Sequence, residues 1–220
     1  MKFRKVGSIS ARAILLLCAG VCGHHPANGR DAPSTQNTIL ILGDSLTAGY
    51  GLAPEQAFPA LIEAQLQQLS LDYKVIAAGL SGETTAGGKR RVAWLLKRPV
   101  NIFILALGAN DGLRGIDLSS TQENLQAIID QVRRKYPDAQ LIIAGMQIPP
   151  NLGIEYQSEF KSIFPKIAED NLALLIPFLL EGVAGIPELN LEDGIHPNPE
   201  GHAIIAETVL SYLLPIINKN

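Results

Sequence analysis

The chain has 220 residues, a formal net charge of −3 and only two cysteines, Cys18 and Cys22. Because both lie near the N-terminus, the rest of the chain offers no disulfide, thiolate nucleophile or cysteine-ligated metal site. Acidic residues outnumber basic ones, which argues against nucleic acid as a partner.

Residues 1–29 have the layout of a secretory signal peptide and leader. Four basic residues precede the apolar stretch 13–22, which is too short for a membrane span of roughly 20 residues. We expect cleavage near Gly23 or Gly29, and therefore a periplasmic or secreted protein without an integral membrane span. Because the leader holds four of the 18 basic residues and none of the 21 acidic ones, the mature charge is −7. Residues 30–220 fit a single domain, which we expect to be a monomer.

Short apolar runs alternate with helical patterns along residues 30–220. The runs that predict strands are residues 38–42, 74–78, 100–107, 140–144 and 172–178. Four apolar stripes at helical spacing predict packed helix faces, namely Phe58, Ile62, Leu66 and Leu69; Leu125, Ile128, Ile129 and Val132; Phe160, Ile163, Phe164 and Ile167; and Ile204, Leu210, Leu213 and Leu214. This alternation predicts an α/β fold, a three-layer α/β/α sandwich with a five-stranded parallel sheet.

Three of the predicted strands are followed by residues that could take part in a reaction: Ser45, Gly82 and Asn110. In open α/β sheets, ligands bind beyond the carboxyl ends of the strands, so these residues are expected at one edge. A glycine N–H and an asparagine amide can both donate to one reacting oxygen, which is what an oxyanion hole requires.

Asp193 and His196 stand three residues apart near the C-terminus. On one tight turn, the carboxylate can accept from the imidazole Nδ1–H and leave Nε2 facing a nucleophile. Pro197 and Pro199 stiffen this segment. Such a pair alone is also typical of an ordinary surface turn, but together with Ser45 it supplies a Ser/His/Asp set.

The segment around Ser45 does not fit other glycine-bearing motifs. It lacks the Lys-Ser/Thr of a P-loop and the third glycine of a dinucleotide fingerprint, and Thr47 replaces the second glycine of a G-x-S-x-G elbow. We expect Asp44 to bond loop backbone and His202 to be a surface or helix-start residue. With so few histidines, a three-ligand zinc site is not expected, and we predict no metal and no cofactor.

Ser45, Gly82, Asn110 and His196 occur in the order that gives the SGNH or GDSL hydrolases their name, and the chain resembles that family. The similar blocks, which favour its bacterial thioesterase I, arylesterase or lysophospholipase subgroup, are residues 41–51, 108–115, 149–151 and 193–197. Ala109 departs from the subgroup, which usually has glycine there, and its methyl group could narrow the acyl site. The resemblance implies a flavodoxin-like SGNH hydrolase fold.

The resemblance also implies a serine acyl hydrolase that cleaves esters and thioesters through an acyl-enzyme. Ser45, Asp193 and His196 would form the triad, and the Ser45 and Gly82 N–H groups with the Asn110 amide would form the oxyanion hole. The substrate would be a small-molecule acyl ester or thioester. Two alternatives stay open: a carbohydrate acetylesterase of the same fold, and a non-catalytic periplasmic ligand-binding protein.

We expect the acyl group to contact Leu113, Gly112 and Pro150. Leu113 lies between Gly112 and Gly115, where flanking glycines permit movement, so it is a candidate for an apolar lid. The alternative is that Leu113 is an ordinary loop residue packed into the core.

Overall fold

The fold is built on a parallel sheet of five strands in the order β2-β1-β3-β4-β5. The structure is a computed structural model and describes residues 36–218. The strands are β1 (Asn37–Gly43), β2 (Tyr73–Gly79), β3 (Ile102–Ala106), β4 (Gln140–Ala144) and β5 (Leu174–Ile176). The helices are α1 (Ser45–Ala48), α2 (Phe58–Gln68), α3 (Thr85–Leu95), α4 (Ala109–Leu113), α5 (Leu118–Lys135), α6 (Ile154–Asp170) and α7 (Pro199–Ile217). The leader predicted over residues 1–29 lies outside the described residues.

The strand order decides which face of the sheet each helix covers. The chain steps from β1 to β2 in one direction and then returns past β1 to β3, β4 and β5 in the other. Because parallel crossovers are right-handed, the reversal places α2 on one face and α3, α5 and α6 on the other. Helix α7 packs against α2, whereas α5 packs against α3 and α6. The predicted α/β sandwich is therefore confirmed.

The reversal also creates the switch point between β1 and β3, where the loops that follow the two strands diverge. Open α/β sheets bind their ligands in the crevice at such a point. Ser45 follows β1 and Asn110 follows β3, so the topology itself brings these two side chains to one place.

The inner strands are buried on both faces. In β1, the four residues Ile39–Leu42 are no more than 1% exposed, and every residue of β3 is buried. Strands covered by helices on both faces have continuous apolar sequences rather than alternating ones. This is why the apolar runs predicted these strands. Strands β3 and β5 are shorter than the predicted runs 100–107 and 172–178, because only the central residues of those runs pair with a neighbouring strand.

Two predicted helix faces need correction. Leu69 is 47% exposed, because α2 ends at Gln68 and Leu69 lies beyond its last packed turn. On α7, Ile204 and Leu214 are only half-buried, and the packed face is instead formed by Ile205, Ala206, Val209, Leu210, Leu213 and Ile217. The two stripes predicted for α5 and α6 are fully buried and thus confirmed.

Helix α3 was not predicted, because its sequence has few apolar residues and contains Gly87 and Gly88. A Cβ at Gly88 would lie 2.4 Å from the Leu107 side chain, so the helix approaches the sheet too closely for any other residue. Glycine lowers helix propensity and removes the apolar stripe at the same time. Close packing therefore hides this helix from a periodicity argument.

By length and composition, α7 is the one helix of the described residues that could cross a membrane, with a mean hydropathy of 1.2. Its buried face includes Ile205, Val209 and Leu213, and it packs against α2. A core helix with one apolar face meets the same criteria, so its hydropathy is explained by packing.

Of the two alternatives predicted for His202, the helix start is correct and the surface position is wrong. His202 lies in the first turns of α7, is 1% exposed, and its Nδ1 accepts a hydrogen bond from the Phe58 N–H at 3.1 Å. The two rings are stacked with centroids 6.1 Å apart. Phe58 is the first residue of α2, and Ala57 before it has no side chain that can cap the helix. His202 supplies the missing acceptor and ties α7 to α2.

Replacing His202 with asparagine, which keeps an acceptor near the position of Nδ1, should change how stability depends on pH. Burial, with a smaller contribution from the charge of His196, lowers the pKa of His202 from 6.5 to about 4. Between those values the unfolded chain binds a proton that the folded protein does not, so this residue makes stability fall as pH falls. His202→Asn should therefore be about 2 kcal/mol less destabilising at pH 5 than at pH 7, measured by urea unfolding. If His202→Asn changed the free energy of unfolding equally at pH 5 and pH 7, the pKa of His202 would be the same in the folded and unfolded states.

Candidate active site

Ser45 is the first residue of α1, and only Asp44 separates it from the end of β1. The short helix crosses the strand ends in close contact, since a Cβ at Gly79 would lie 2.2 Å from the Ala48 nitrogen and one at Gly43 2.0 Å from Thr47 Oγ1. Glycine at both strand ends thus allows the helix to sit directly on the sheet. The serine is 9% exposed and is held at the edge of the switch-point crevice.

Ser45, His196 and Asp193 form a hydrogen-bonded chain. His196 Nε2 lies 3.0 Å from Ser45 Oγ, and His196 Nδ1 lies 2.6 Å from Asp193 Oδ2. Asp193 Oδ1 also accepts from the backbone N–H groups of Ile195 and His196, both at 2.9 Å. The His196 backbone N–H, the His196 ring and the Ile195 N–H, in that order, lower the pKa of Asp193 to about 2. This carboxylate is therefore ionised at neutral pH and fixes the imidazole with Nε2 toward the serine.

Tyr50 packs against the imidazole, with its ring centroid 4.4 Å from that of His196 and an interplanar angle of 37°. The aromatic ring restricts the orientation of the imidazole from a side that Asp193 does not contact. Tyr50 is 50% exposed and belongs to the loop after α1, so no feature of the sequence distinguished it from an ordinary loop tyrosine.

Asp44 is buried at the start of α1, where its Oδ1 accepts from the Leu46 N–H at 3.0 Å. This confirms the prediction that Asp44 bonds loop backbone. Its Oδ2 also accepts from Asn110 Nδ2 at 3.3 Å, a contact that the sequence did not indicate. Burial raises the pKa of Asp44 to about 6, against the opposing effects of these hydrogen bonds and of His196.

The amide of Asn110 is oriented from two sides. Nδ2 faces Asp44, and Oδ1 accepts from Arg114 Nη2 at 3.4 Å. The same Arg114 nitrogen donates to the Gly82 carbonyl at 3.0 Å, so one guanidinium joins the two loops that carry the predicted oxyanion donors. Gly82 has a φ of 75°, a left-handed conformation that favours glycine. Sequence reasoning missed this function of Arg114.

Asp111 anchors the helix that carries Asn110. It is 1% exposed and accepts from the Thr85 N–H at 2.8 Å and from Thr85 Oγ1 at 2.5 Å. Because Thr85 begins α3, these bonds fix α4 to the start of the neighbouring helix. The position of Asn110 thus depends on a buried polar contact between two helices.

A cavity of about 430 Å³ opens beside Ser45 and His196. Its wall is mostly apolar and is formed by Leu46, Ala109, Leu113, Pro149, Phe178, Leu180, Ala184 and Ile195, with the backbone and polar groups of the site. Such a wall suits a hydrocarbon chain better than a sugar. Ala109 is among the lining residues, so its methyl group does occupy the place where a glycine would leave more room.

Of the three residues expected to contact the acyl group, Leu113 lines this cavity and is 39% exposed, so it is not packed into the core. Gly112 does not line it, because this residue packs toward Phe160, whose ring would lie 2.8 Å from a Cβ there. Pro150 is also absent from the wall, and its neighbour Pro149 lines the cavity instead. Leu113 is therefore the member of this set that is placed to touch a substrate.

No group of three or more His, Cys, Asp or Glu side chains is arranged to hold a metal ion within residues 36–218. The polar groups around Ser45 are instead paired with one another, as the contacts of Asp193, Asp44 and Asn110 show.

A serine hydrogen-bonded to a histidine, which is hydrogen-bonded in turn to a carboxylate, is the active-site arrangement of serine hydrolases. The sequence belongs to the GDSL-like Lipase/Acylhydrolase family, which matches residues 41–204. The protein is accordingly an enzyme of the GDSL type, a serine acyl hydrolase.

Relatives and solved structures cover most of the chain. It is 38% identical to an arylesterase of Vibrio mimicus, over 83% of this chain and 91% of the relative. It is 37% identical to thioesterase 1/protease 1/lysophospholipase L1 of Escherichia coli K12, over 84% of this chain and 86% of the relative. The chain is also similar to a crystal structure of the psychrotrophic esterase EstA from Pseudoalteromonas sp., inhibited by monoethylphosphonate. The TM-score is 0.78, and the sequences are 36% identical over 83% of this chain and 99% of EstA. A family 3 carbohydrate esterase from Clostridium thermocellum shares the fold alone, with a TM-score of 0.69 and 20% identity over 83% of this chain and 98% of the other.

Proposed function

We propose that this enzyme hydrolyses carboxylic esters and thioesters with medium or long acyl groups, using Ser45 as the nucleophile. The observation that carries the proposal is the chain from Ser45 Oγ through His196 to Asp193, with distances of 3.0 and 2.6 Å, beside an apolar cavity. A ligand-binding protein without catalysis would not need a base within hydrogen-bond distance of a serine. Family membership gives the same preference for an enzyme.

The reaction begins when Ser45 Oγ attacks the carbonyl carbon of the substrate and His196 Nε2 takes the hydroxyl proton. Asp193 stabilises the imidazolium that forms, since its carboxylate is already ionised. The C=O π bond breaks and its electron pair moves to the carbonyl oxygen, an oxyanion that is proposed to accept from the Ser45 and Gly82 N–H groups and from Asn110. The intermediate collapses, the carbonyl re-forms as the C–O or C–S bond to the leaving group breaks, His196 gives its proton to the departing alcohol or thiol, and an acyl-enzyme remains.

Deacylation repeats these steps with water. His196 removes a proton from the water molecule as its oxygen attacks the acyl carbonyl, and the second tetrahedral intermediate uses the same donors. Collapse breaks the bond to Ser45, whose oxygen takes back the proton from His196, and the carboxylic acid leaves. The enzyme returns to its starting state, and one water molecule has hydrolysed one ester or thioester bond.

The apolar wall of the cavity supports longer acyl groups over the acetyl group of a sugar ester. Burial of each methylene is worth about 0.8 kcal/mol, so a cavity lined by Leu46, Leu113, Phe178 and Leu180 favours acyl chains longer than acetyl. A carbohydrate acetylesterase needs polar contacts to a sugar, and apart from Asp44, Ser45, Asn110 and His196 the one polar side chain that lines this cavity is Gln147. Ala109 is the residue that supports the acetylesterase alternative, because its methyl group shortens the space beside Asn110.

Turnover of an acyl series would test this proposal. Purified enzyme would be assayed with p-nitrophenyl acetate, butyrate, decanoate and laurate, with decanoyl-CoA, and with acetylated xylose. We expect kcat/KM to rise from acetate to decanoate, and decanoyl-CoA to be cleaved. Good turnover of acetylated xylose with poor turnover of decanoate would establish the acetylesterase alternative instead.

Leu113→Ala should lower kcat/KM for decanoyl esters by about fivefold or more and change it less than twofold for acetyl esters, because the removed side chain covers only the longer acyl chain. The comparison of the two esters is made in the same assay. Leu69→Ala is the matched control, since Leu69 has a similar exposure of 47% but lies at the end of α2. An equal loss for both esters would show that Leu113 supports the site and does not contact the acyl chain.

We also propose that the enzyme is exported and acts in the periplasm or outside the cell. The charge and length pattern of residues 1–29 supports this, as does the absence of cysteine from residues 30–220, since the mature chain then needs no control of disulfide pairing. Mass spectrometry of the protein from a periplasmic fraction would give the cleavage site. An intact N-terminus in the cytoplasm would contradict export.

A further inference from the structure

We infer that Arg91 is a positioning residue that holds the nucleophile turn and the Gly82 loop in register for catalysis. The inference rests on the proposed function, because it assigns Arg91 to the reaction of Ser45. It comes from the contacts of one side chain on α3, a helix that supplies no group of the triad.

The guanidinium of Arg91 binds one side-chain carboxylate and two backbone carbonyls. Its Nε donates to both carboxylate oxygens of Glu83, at 2.7 and 2.8 Å, and Nη2 also donates to Glu83 Oε2. The same Nη2 donates to the carbonyls of Ala78 at 2.7 Å and Gly43 at 3.3 Å. Glu83 is adjacent to Gly82, and Gly43 is two residues before Ser45, so one side chain contacts the segments beside two of the three proposed oxyanion donors.

These contacts are buried and allow few alternatives. The side chain of Glu83 is 3% exposed and that of Arg91 is 24% exposed. A buried carboxylate that loses its partner cannot be solvated and forces the surrounding loop to rearrange. Gly87 provides the space in which the Glu83 side chain lies, since a Cβ there would be only 2.9 Å from it, so the ion pair packs closely against α3. The planar fork of arginine fits this three-way contact, whereas the single ammonium group of lysine does not.

A shift of the strand ends would reach the reacting groups directly. Gly43 and Ala78 are at the carboxyl ends of β1 and β2, and α1 with Ser45 lies in contact with these ends. The Leu80 N–H also donates to the Gly43 carbonyl, at 3.1 Å, which joins the start of the Gly82 loop to the same point. A displacement of about 1 Å in a catalytic site can reduce the rate by 10²-fold, so a loosened contact here should affect kcat more than binding.

The test is Arg91→Lys, with Arg90→Lys as the matched control on the same helix, where Arg90 is exposed. Active sites would be titrated with a fluorophosphonate, and kcat would be expressed per labelled site. We expect kcat to fall about 10- to 100-fold in Arg91→Lys, with KM within about twofold and with equal losses for butyrate and decanoate esters. Arg90→Lys should have wild-type constants.

The possible results separate the two proposals. Wild-type kcat per labelled site in Arg91→Lys, even with a lower Tm or fewer labelled sites, would overturn the inference and leave Arg91 a purely structural residue. If Arg91→Lys does not fold, Glu83→Gln takes its place, because it keeps the shape and one acceptor oxygen but removes the charge. A similar fall of kcat per labelled site in Glu83→Gln would then support the inference, and an unchanged kcat would overturn it. Failure of the wild-type enzyme to cleave any ester or to react with the phosphonate would instead contradict the proposed function.

Discussion

Ser45→Ala should reduce kcat by about 10⁴-fold or more, because no other group can form the acyl-enzyme and the remaining donors stabilise only an uncatalysed attack by water. The structure gives the reason for this choice of serine, since Ser45 Oγ lies 3.0 Å from His196 Nε2. The variant should fold normally, as it loses one oxygen at the edge of a cavity. Hydrolysis of p-nitrophenyl butyrate and the circular dichroism spectrum would measure these two properties.

A fluorophosphonate should label wild-type enzyme at Ser45 and leave Ser45→Ala unlabelled, with the labelled peptide identified by mass spectrometry. Ser162→Ala is the control, because Ser162 is an exposed serine of α6 that bonds only its own helix. Labelling of a different residue, or more than a trace of activity in Ser45→Ala in the presence of a metal chelator, would show that the nucleophile has been misassigned.

The sequence was most informative where one short segment carries its own physical reason. The apolar run of β1 identifies a strand that is buried on both faces, and the spacing of Asp193 and His196 indicates a turn in which the carboxylate can reach Nδ1. Neither inference requires knowledge of distant parts of the chain. The positions of Ser45, Gly82 and Asn110 after strands then placed them at one edge, because parallel strands end on the same side of a sheet.

The sequence was least informative about contacts made across loops. No sequence pattern marks Arg91 or Arg114, yet each guanidinium joins segments that are far apart in the chain. The burial of His202 was not predicted for the same reason, since its hydrogen-bond partner, the Phe58 N–H, is 144 residues away in the sequence. A polar side chain that satisfies a backbone group of another element produces no periodic pattern. Such contacts become visible only when the fold is known.

Two carboxylates near the site have pKa values that move in opposite directions. Asp193 accepts three hydrogen bonds from Ile195 and His196, and its pKa is about 2, whereas burial raises that of Asp44 to about 6. The first is therefore always charged and suited to stabilise an imidazolium, and the second becomes neutral under mildly acidic conditions. Because Asp44 accepts from Asn110, its protonation state also affects the amide that is proposed to bind the oxyanion.

Asn110→Ala should lower kcat by about 10²- to 10³-fold with little change in KM, because the amide acts mainly on the charge that develops in the transition state. The second N–H of Nδ2 is the group proposed to reach that charge, since Asp44 on one side and Arg114 on the other fix the amide plane. Asn218→Ala, which removes an exposed amide at the end of α7, is the control. Steady-state kinetics with decanoyl esters would separate the two constants.

The variant should also make activity more sensitive to acid. The hydrogen bond from Asn110 is one of the contacts that hold the pKa of Asp44 down, so its removal should raise that pKa further above about 6. We therefore expect the acid limb of the kcat profile to move to higher pH in Asn110→Ala, because the negative charge on Asp44 stabilises the imidazolium of His196 that forms during the reaction. A loss of activity that arises from KM alone, with an unchanged pH profile, would show that Asn110 binds the ground state of the substrate and is not an oxyanion donor.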